Sequence, residues 1–256
     1  MSDTTGDDGE IVTNLDLAHG AAVYRAALDE VFPSIGPDLV LDLGASDCTS
    51  ALTVAAFWSG VRVVAWECNP ERAVLGAANI RRATSLGARV LLVPAAATNS
   101  SGLAVFYPVN ENAEAGSMFK PSGGYDAVEK YTTPAVPLSV FGLRVRDWAE
   151  REGVTAIDAA WLDLQGGELA ALTGFGEALL STVQVVQAEV CYRDIYEGSP
   201  LWPDVREWMR ATGFALVARS EMLSGHWGDA LWCRPVMLEA VRREVATTMQ
   251  GLPARP

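Results

Sequence analysis

Three acids, each closing a short apolar run, carry the first chemical signal in this chain: Asp42 in DLVLDLG, Glu67 after VRVVAW and Asp163 in AAWLDL. In an open α/β sheet, ligands bind beyond the carboxyl ends of the strands, so acids there face the crevice. Gly44 permits close backbone approach, and Ser46 opens a turn whose N–H groups lead into a helix. Glu67 follows Asp42 by 25 residues, the spacing at which an acid accepts hydrogen bonds from two ribose hydroxyls.

The same residues argue about the rest of the ligand. A pyrophosphate needs two or three glycines to reach the backbone, and DLGASDC supplies only Gly44, which disfavours a nicotinamide-dependent oxidoreductase. A ligand with an ammonium group, a ribose and no phosphate suits acids at strand ends, and S-adenosylmethionine has that chemistry. Methyl transfer from a sulfonium requires alignment of acceptor and methyl, and removal of the acceptor's proton. Asp163 and His226, the latter in the glycine-flanked SGHWGDA, are the candidates for proton handling; His19 is the chain's other histidine. Tyr192, Arg193, Asp194 and Tyr196 are placed to line an acceptor pocket. Glu189 shares a row with Asp163, but two neighbouring carboxylates read as a polar crevice, and no metal site is expected.

The elements that must position these residues alternate regularly. Apolar runs at 38–44, 61–67, 88–94, 159–164 and 183–190 read as parallel strands, with helices over 46–59, 70–85, 144–152, from 168 and over 202–212. FALVAR and ALWCR (214–219 and 230–234) close the sheet as a hairpin, and LAVFY (103–107) is a local strand. Residues 1–13 read as a disordered acidic tail and 14–256 as one domain, with N- and C-terminal helices and a loop over 108–135 suited to act as a lid. The tryptophans at 202, 208, 227 and 232 read as core.

Composition narrows the class. The net charge of −13, without a basic stripe, excludes nucleic acid as an expected partner, leaving a small-molecule acceptor. Four scattered cysteines without a CxxC pair indicate neither zinc nor a disulfide framework. The N-terminus lacks the pattern of a signal peptide and no apolar run is long enough for a membrane span, so a soluble cytoplasmic protein is expected. A homo-oligomer is compatible with the sequence, which leaves oligomeric state open.

The segments VLDLGASDC, WECNPE, WLDLQGGELAALTG and VQVVQAEVCYRDIYEG resemble the FkbM family of S-adenosylmethionine-dependent methyltransferases, over roughly residues 38–235. The resemblance implies an α/β, Rossmann-like class I methyltransferase: a seven-stranded, mostly parallel sheet of order 3-2-1-4-5-7-6 with helices on both faces. It implies O-methylation of sugars or polyketide-type metabolites, and cofactor roles for Asp42, Gly44, Ala45, Ser46 and Glu67. Cys68, Ala96 and Asp163 complete the expected cofactor set. Two positions depart from the family pattern: Cys48 replaces the glycine ending the first motif, and Gln165 replaces the glutamate after strand four. A backbone φ above zero at 48 would strain a cysteine, and Gln165 cannot act as a base. Those departures motivate a rival reading as a cofactor-binding, non-catalytic homologue.

Overall fold

Alternate residues of the central strands feed two separate cores, one on each face of a single sheet. Leu39, Leu41 and Leu43 join Val64 and Trp66 in one core, while Val40, Val63 and Ala65 enter the other. This is the two-sided burial that parallel strands require. The computed structural model describes residues 4–5, 9–13, 17–33, 36–84, 87–109, 114–122, 136–220 and 225–250.

In chain order the elements are β1 (Thr4–Thr5), β2 (Ile11–Thr13), α1 (Leu17–Val31), β3 (Leu39–Leu43), α2 (Thr49–Phe57), β4 (Arg62–Trp66), α3 (Pro70–Arg82) and β5 (Val90–Val93). Next come β6 (Ala96–Ala97), β7 (Gly102–Phe106), β8 (Leu138–Leu143), α4 (Val145–Glu152), β9 (Ala159–Leu162), α5 (Glu168–Gly174) and α6 (Glu177–Leu180). The chain closes with β10 (Val185–Cys191), α7 (Trp202–Ala211), β11 (Ala215–Ser220), β12 (Trp227–Cys233) and α8 (Leu238–Gln250).

The main sheet runs β1-β2-β11-β12-β10-β9-β3-β4-β5. Its seven expected strands follow one another in the anticipated sequence, with β12 antiparallel to both β10 and β11. Among the described residues the sheet has nine strands and not seven, because β2 pairs parallel with β11 and β1 pairs antiparallel with β2. The tail reading of residues 1–13 fails with it where the structure describes them. Glu10 is buried beside Arg219, and Ile11 packs on a core. Segments of two and three residues are too short for the pattern in sequence to reveal, and the strand that β2 joins lies some 200 residues later in the chain.

A second, three-stranded sheet has the order β6-β8-β7 and carries Ala96 and Ala97 on β6. LAVFY is thus part of a sheet of its own. Of the proposed lid, 114–122 is described: Tyr107 and Ser117 exchange backbone hydrogen bonds, and Ser122 N–H donates to Ile195 O at 2.9 Å. The remainder, 110–113 and 123–135, lies outside the described residues. Among the described residues no helix is long and apolar enough to cross a membrane. The four tryptophans pack against apolar clusters, Trp232 almost wholly buried.

The small sheet is seated through Gly174, at the end of α5, where a Cβ would lie 2.1 Å from the Thr98 carbonyl oxygen. The clash is with backbone, so no side chain can rotate away. Gly174→Ala is expected to destabilise the fold by about 2–3 kcal/mol, as overpacking of a tight contact does. Chemical denaturation checks this, and an unchanged midpoint would show that α5 and the small sheet are not locked together.

Candidate active site

A cleft opens at the carboxyl ends of β3, β4 and β9, where ligands bind in sheets of this kind. Its wall combines Gly44, Ser46, Trp66, Glu67, Cys68 and Ala95–Ala97 with Phe106, Glu114, Gly116, Met118, Asp163, Leu164 and Gly167. Three of these are carboxylic acids and none is Lys, Arg or His. A wall of this kind favours a cation.

The loop from β3 to α2 is strained into shape. Gly44 has φ +91°, and a Cβ there would stand 1.8 Å from the Asp163 carbonyl oxygen, so the close approach is that of β9's end to β3's. Gly44 and Ala45 N–H both donate to the Trp66 carbonyl at 2.9 Å. Ser46 (φ +49°) and Cys48 (φ +63°) also lie in the left-handed region. Cys48 therefore occupies the conformation that strains a cysteine, a cost of about 1–2 kcal/mol. Room for its thiol comes from α3, where a Cβ on Gly76 would approach the Cys48 Sγ to 2.6 Å.

Glu67 leaves β4 into a pair of backbone donors: Ser46 N–H at 2.8 Å on one oxygen and Asn69 N–H at 2.6 Å on the other. Two lone pairs are thereby engaged, and a carboxylate has about four. Asn69 caps α3 by accepting from Glu71 N–H, with Pro70 at the first helical position. From the first turn of α3, Arg72 donates to Ser46 Oγ at 2.8 Å and to Glu114 at 3.0 Å. It ties the 114–122 segment to the motif loop across the cleft's edge.

On the other side, Asp163 N–H holds to Leu43 O at 2.9 Å while its carboxylate accepts from the Gln165 side-chain amide at 2.7 Å. The same amide nitrogen donates to Glu189 at 3.0 Å, and the Tyr196 hydroxyl donates to the Gln165 amide oxygen at 2.6 Å. Glu168, also buried, accepts from Leu164 N–H at 2.7 Å.

The model of the family described as Methyltransferase FkbM domain matches residues 42–216, the segment that builds this cleft. The chain belongs to the FkbM methyltransferase family. It is an S-adenosylmethionine-dependent methyltransferase. Over 169 residues it is 26% identical to 2-O-methyltransferase NoeI of Sinorhizobium fredii (strain NBRC 101917 / NGR234), covering 63% of this chain and 67% of that one. The crystal structure of methyltransferase FkbM from Methylobacillus flagellatus KT has TM-score 0.50 and 14% identity, over 77% of this chain and 43% of that one. This chain thus spans less than half of that protein's length. An O-methyltransferase from Bacillus cereus in complex with SAH has TM-score 0.50 and 16% identity, over 86% and 82%. At those identities the likeness is one of fold.

The methyltransferase's cofactor fits the residues present. Its sulfonium and ammonium match the acids Glu67, Glu114 and Asp163, its ribose hydroxyls match the free lone pairs of Glu67, and its base matches the apolar Phe106, Met118 and Ala95–Ala97. Of the expected set, Gly44, Ser46, Glu67, Cys68, Ala96 and Asp163 stand on the wall. Three residues do not. Asp42, on the alternate face of β3, accepts from Ser50 Oγ at 2.6 Å beneath α2, and Ala45 is buried in the core. His226 sits at the same sheet edge but beyond β10, where its carbonyl accepts from Tyr192 and Arg193 N–H. Asp42 thus holds the start of α2 from below, and the His226 backbone braces the β10–β12 junction. Arg72, Glu114, Phe106 and Met118 went unremarked; only the irregularity of 108–135 pointed towards two of them.

Burial governs the site's protons. It lifts Asp42 and Glu67 to about 7, in Glu67 against the lowering effect of its two backbone donors, and Glu168 to about 8. Asp163 and Glu189 are raised for the same first reason. Each therefore keeps its proton in the folded state at pH values where the unfolded chain has lost it, so stability declines as pH rises from about 4.5 towards 8. The melting temperature should fall by about 5 °C between pH 6 and pH 8, and bound S-adenosylmethionine should flatten the decline. A flat thermal-shift profile would contradict it. At position 48 the usual order of alanine over glycine should reverse. Cys48→Gly relieves the left-handed backbone and Cys48→Ala does not, so the glycine variant should be more stable by about 1 kcal/mol. Urea unfolding of both variants measures the difference.

Proposed function

We propose that the enzyme methylates a hydroxyl of a small polar metabolite, a sugar or a polyketide-type compound, with Asp163 accepting the hydroxyl's proton. The observation that carries the reading is the place of the Asp163 carboxylate, on the wall of the cofactor cleft at the end of β9. The name 2-O-methyltransferase of the relative NoeI supports oxygen as the acceptor atom.

S-adenosylmethionine, when bound, supplies an electrophilic methyl on a sulfonium. Glu67, held open by Ser46 and Asn69 N–H, takes the ribose hydroxyls. Asp163 sits within the ring of acids, where burial raises its proton affinity, as suits a group that must accept a proton. The 114–122 segment, pinned by Arg72 through Glu114, covers one side and limits water. Alignment and a carboxylate base suffice for this transfer, so the proposal includes no metal. It takes the acceptor as the partner, without nucleic acid, and the cytoplasm as the setting, in keeping with four free cysteines.

Calorimetric titration with S-adenosylmethionine and its demethylated product, with and without a chelator, tests the cofactor half. Saturable binding that survives the chelator and weakens by about tenfold or more in Glu67→Ala is expected. Incubation with hydroxylated sugars and polyketides, read by mass spectrometry, tests the acceptor half. Binding without transfer to any acceptor would favour the non-catalytic homologue.

A further inference from the structure

We propose that Gln165 is a positioning residue for Asp163: its side-chain amide, clamped between Asp163, Glu189 and the Tyr196 hydroxyl, aims the Asp163 carboxylate at the cofactor cleft and keeps it ionised there. The inference rests on the reading of Asp163 as the proton acceptor.

Geometry makes the argument. The two amide hydrogens of Gln165 are spent on two different acids, at 2.7 Å and 3.0 Å, and the amide oxygen is spent on Tyr196. The residue itself is anchored through its backbone, whose carbonyl accepts from Ser117 Oγ at 2.7 Å, and its φ of +53° places it in the left-handed region. A glutamate of the same shape could not replace these contacts. Ionised, it would oppose both acids; protonated, it would carry a single hydrogen for two acceptors. An amide donates to both at once and takes no proton from either.

The consequence is a division of labour between the two acids. Asp163 lines the cleft and Glu189 does not. Asp163 is surrounded by Glu114 from the 114–122 segment, Glu67 from the end of β4, Asp42 from β3, Glu168 from α5 and Glu189 from β10. Glu189 faces Asp163, Glu168, Asp229 of β12 and the thiol of Cys191. In such company one acid of the pair holds a proton, and the amide bonds are what allow the other to be charged. Glu189, behind, is the holder; Asp163, in front, is the carboxylate.

A cationic cofactor reads that charge directly, so binding can test the proposal without an acceptor. S-adenosylmethionine affinity is measured by calorimetry from pH 6 to 9 for the wild type, Gln165→Glu, Gln165→Met and each on an Asp163→Asn background. Wild-type affinity is expected to rise with pH as Asp163 ionises. Both Gln165 variants should move the midpoint to higher pH by about one unit, binding roughly tenfold more weakly at the acid end and converging with wild type at pH 9. On Asp163→Asn the Gln165 substitutions should add no shift, while the pH dependence left by Glu67 and Asp42 remains. A structural role alone would weaken binding equally at every pH. An unmoved midpoint, a shift that persists on Asp163→Asn, or wild-type affinity flat in pH overturns the positioning role and leaves the cofactor reading intact. Absence of wild-type binding at any pH would overturn the cofactor reading itself, and this proposal with it.

Discussion

Carboxylates buried at the ends of parallel strands are the constraint on which this structure turns. Asp42, Glu67 and Glu189, with Glu168 at the start of α5 beside them, are each less than a tenth exposed, and removing such groups from water is costly unless hydrogen-bond donors meet them. The fold meets them locally: Ser50 reaches down to Asp42, Ser46 and Asn69 N–H converge on Glu67, Leu164 N–H serves Glu168, and the Gln165 amide serves Asp163 and Glu189. Cations on the wall would have solved the same problem and closed the cleft to a positively charged ligand. Satisfying the acids with neutral donors leaves them available to one.

The backbone bears the consequence. Donors can turn towards strand-end acids only through tight loops, and three residues other than glycine, Ser46, Cys48 and Gln165, take left-handed conformations in the two loops that do so. Strain of this kind persists when surrounding contacts over-determine it. At Ser46 the contacts are Glu67 and Arg72; at Gln165 they are Ser117, Tyr196 and the two acids; at Cys48 they are apolar burial and the gap above Gly76. The left-handed cysteine is thus matched by a glycine on the neighbouring helix.

Long-range pieces finish the cleft. The small sheet sets Phe106 and the alanines at 95–97 along one wall, and Arg72 draws Glu114 over the edge from 42 residues away. Arg72 also neutralises part of an acidic surface on a chain of net charge −13, where self-repulsion would otherwise push the 114–122 segment outward.

Local pattern determined much of this protein. Apolar runs and their spacing specified the seven principal strands, the connecting helices and the row of acids at the strand ends, because period and burial are properties of neighbouring residues. They also carried Gly44, Ser46, Glu67 and Asp163 to the cleft. The period of two also sets the face of Asp42: it lies with Val40, beneath α2, while Leu43 points the other way. Tertiary structure alone decided the β2–β11 pairing, the Arg72–Glu114 clasp and the clamp on Gln165. Each of these depends on groups far apart in the chain meeting within about 3 Å, and only the packing of the whole sheet sets such distances.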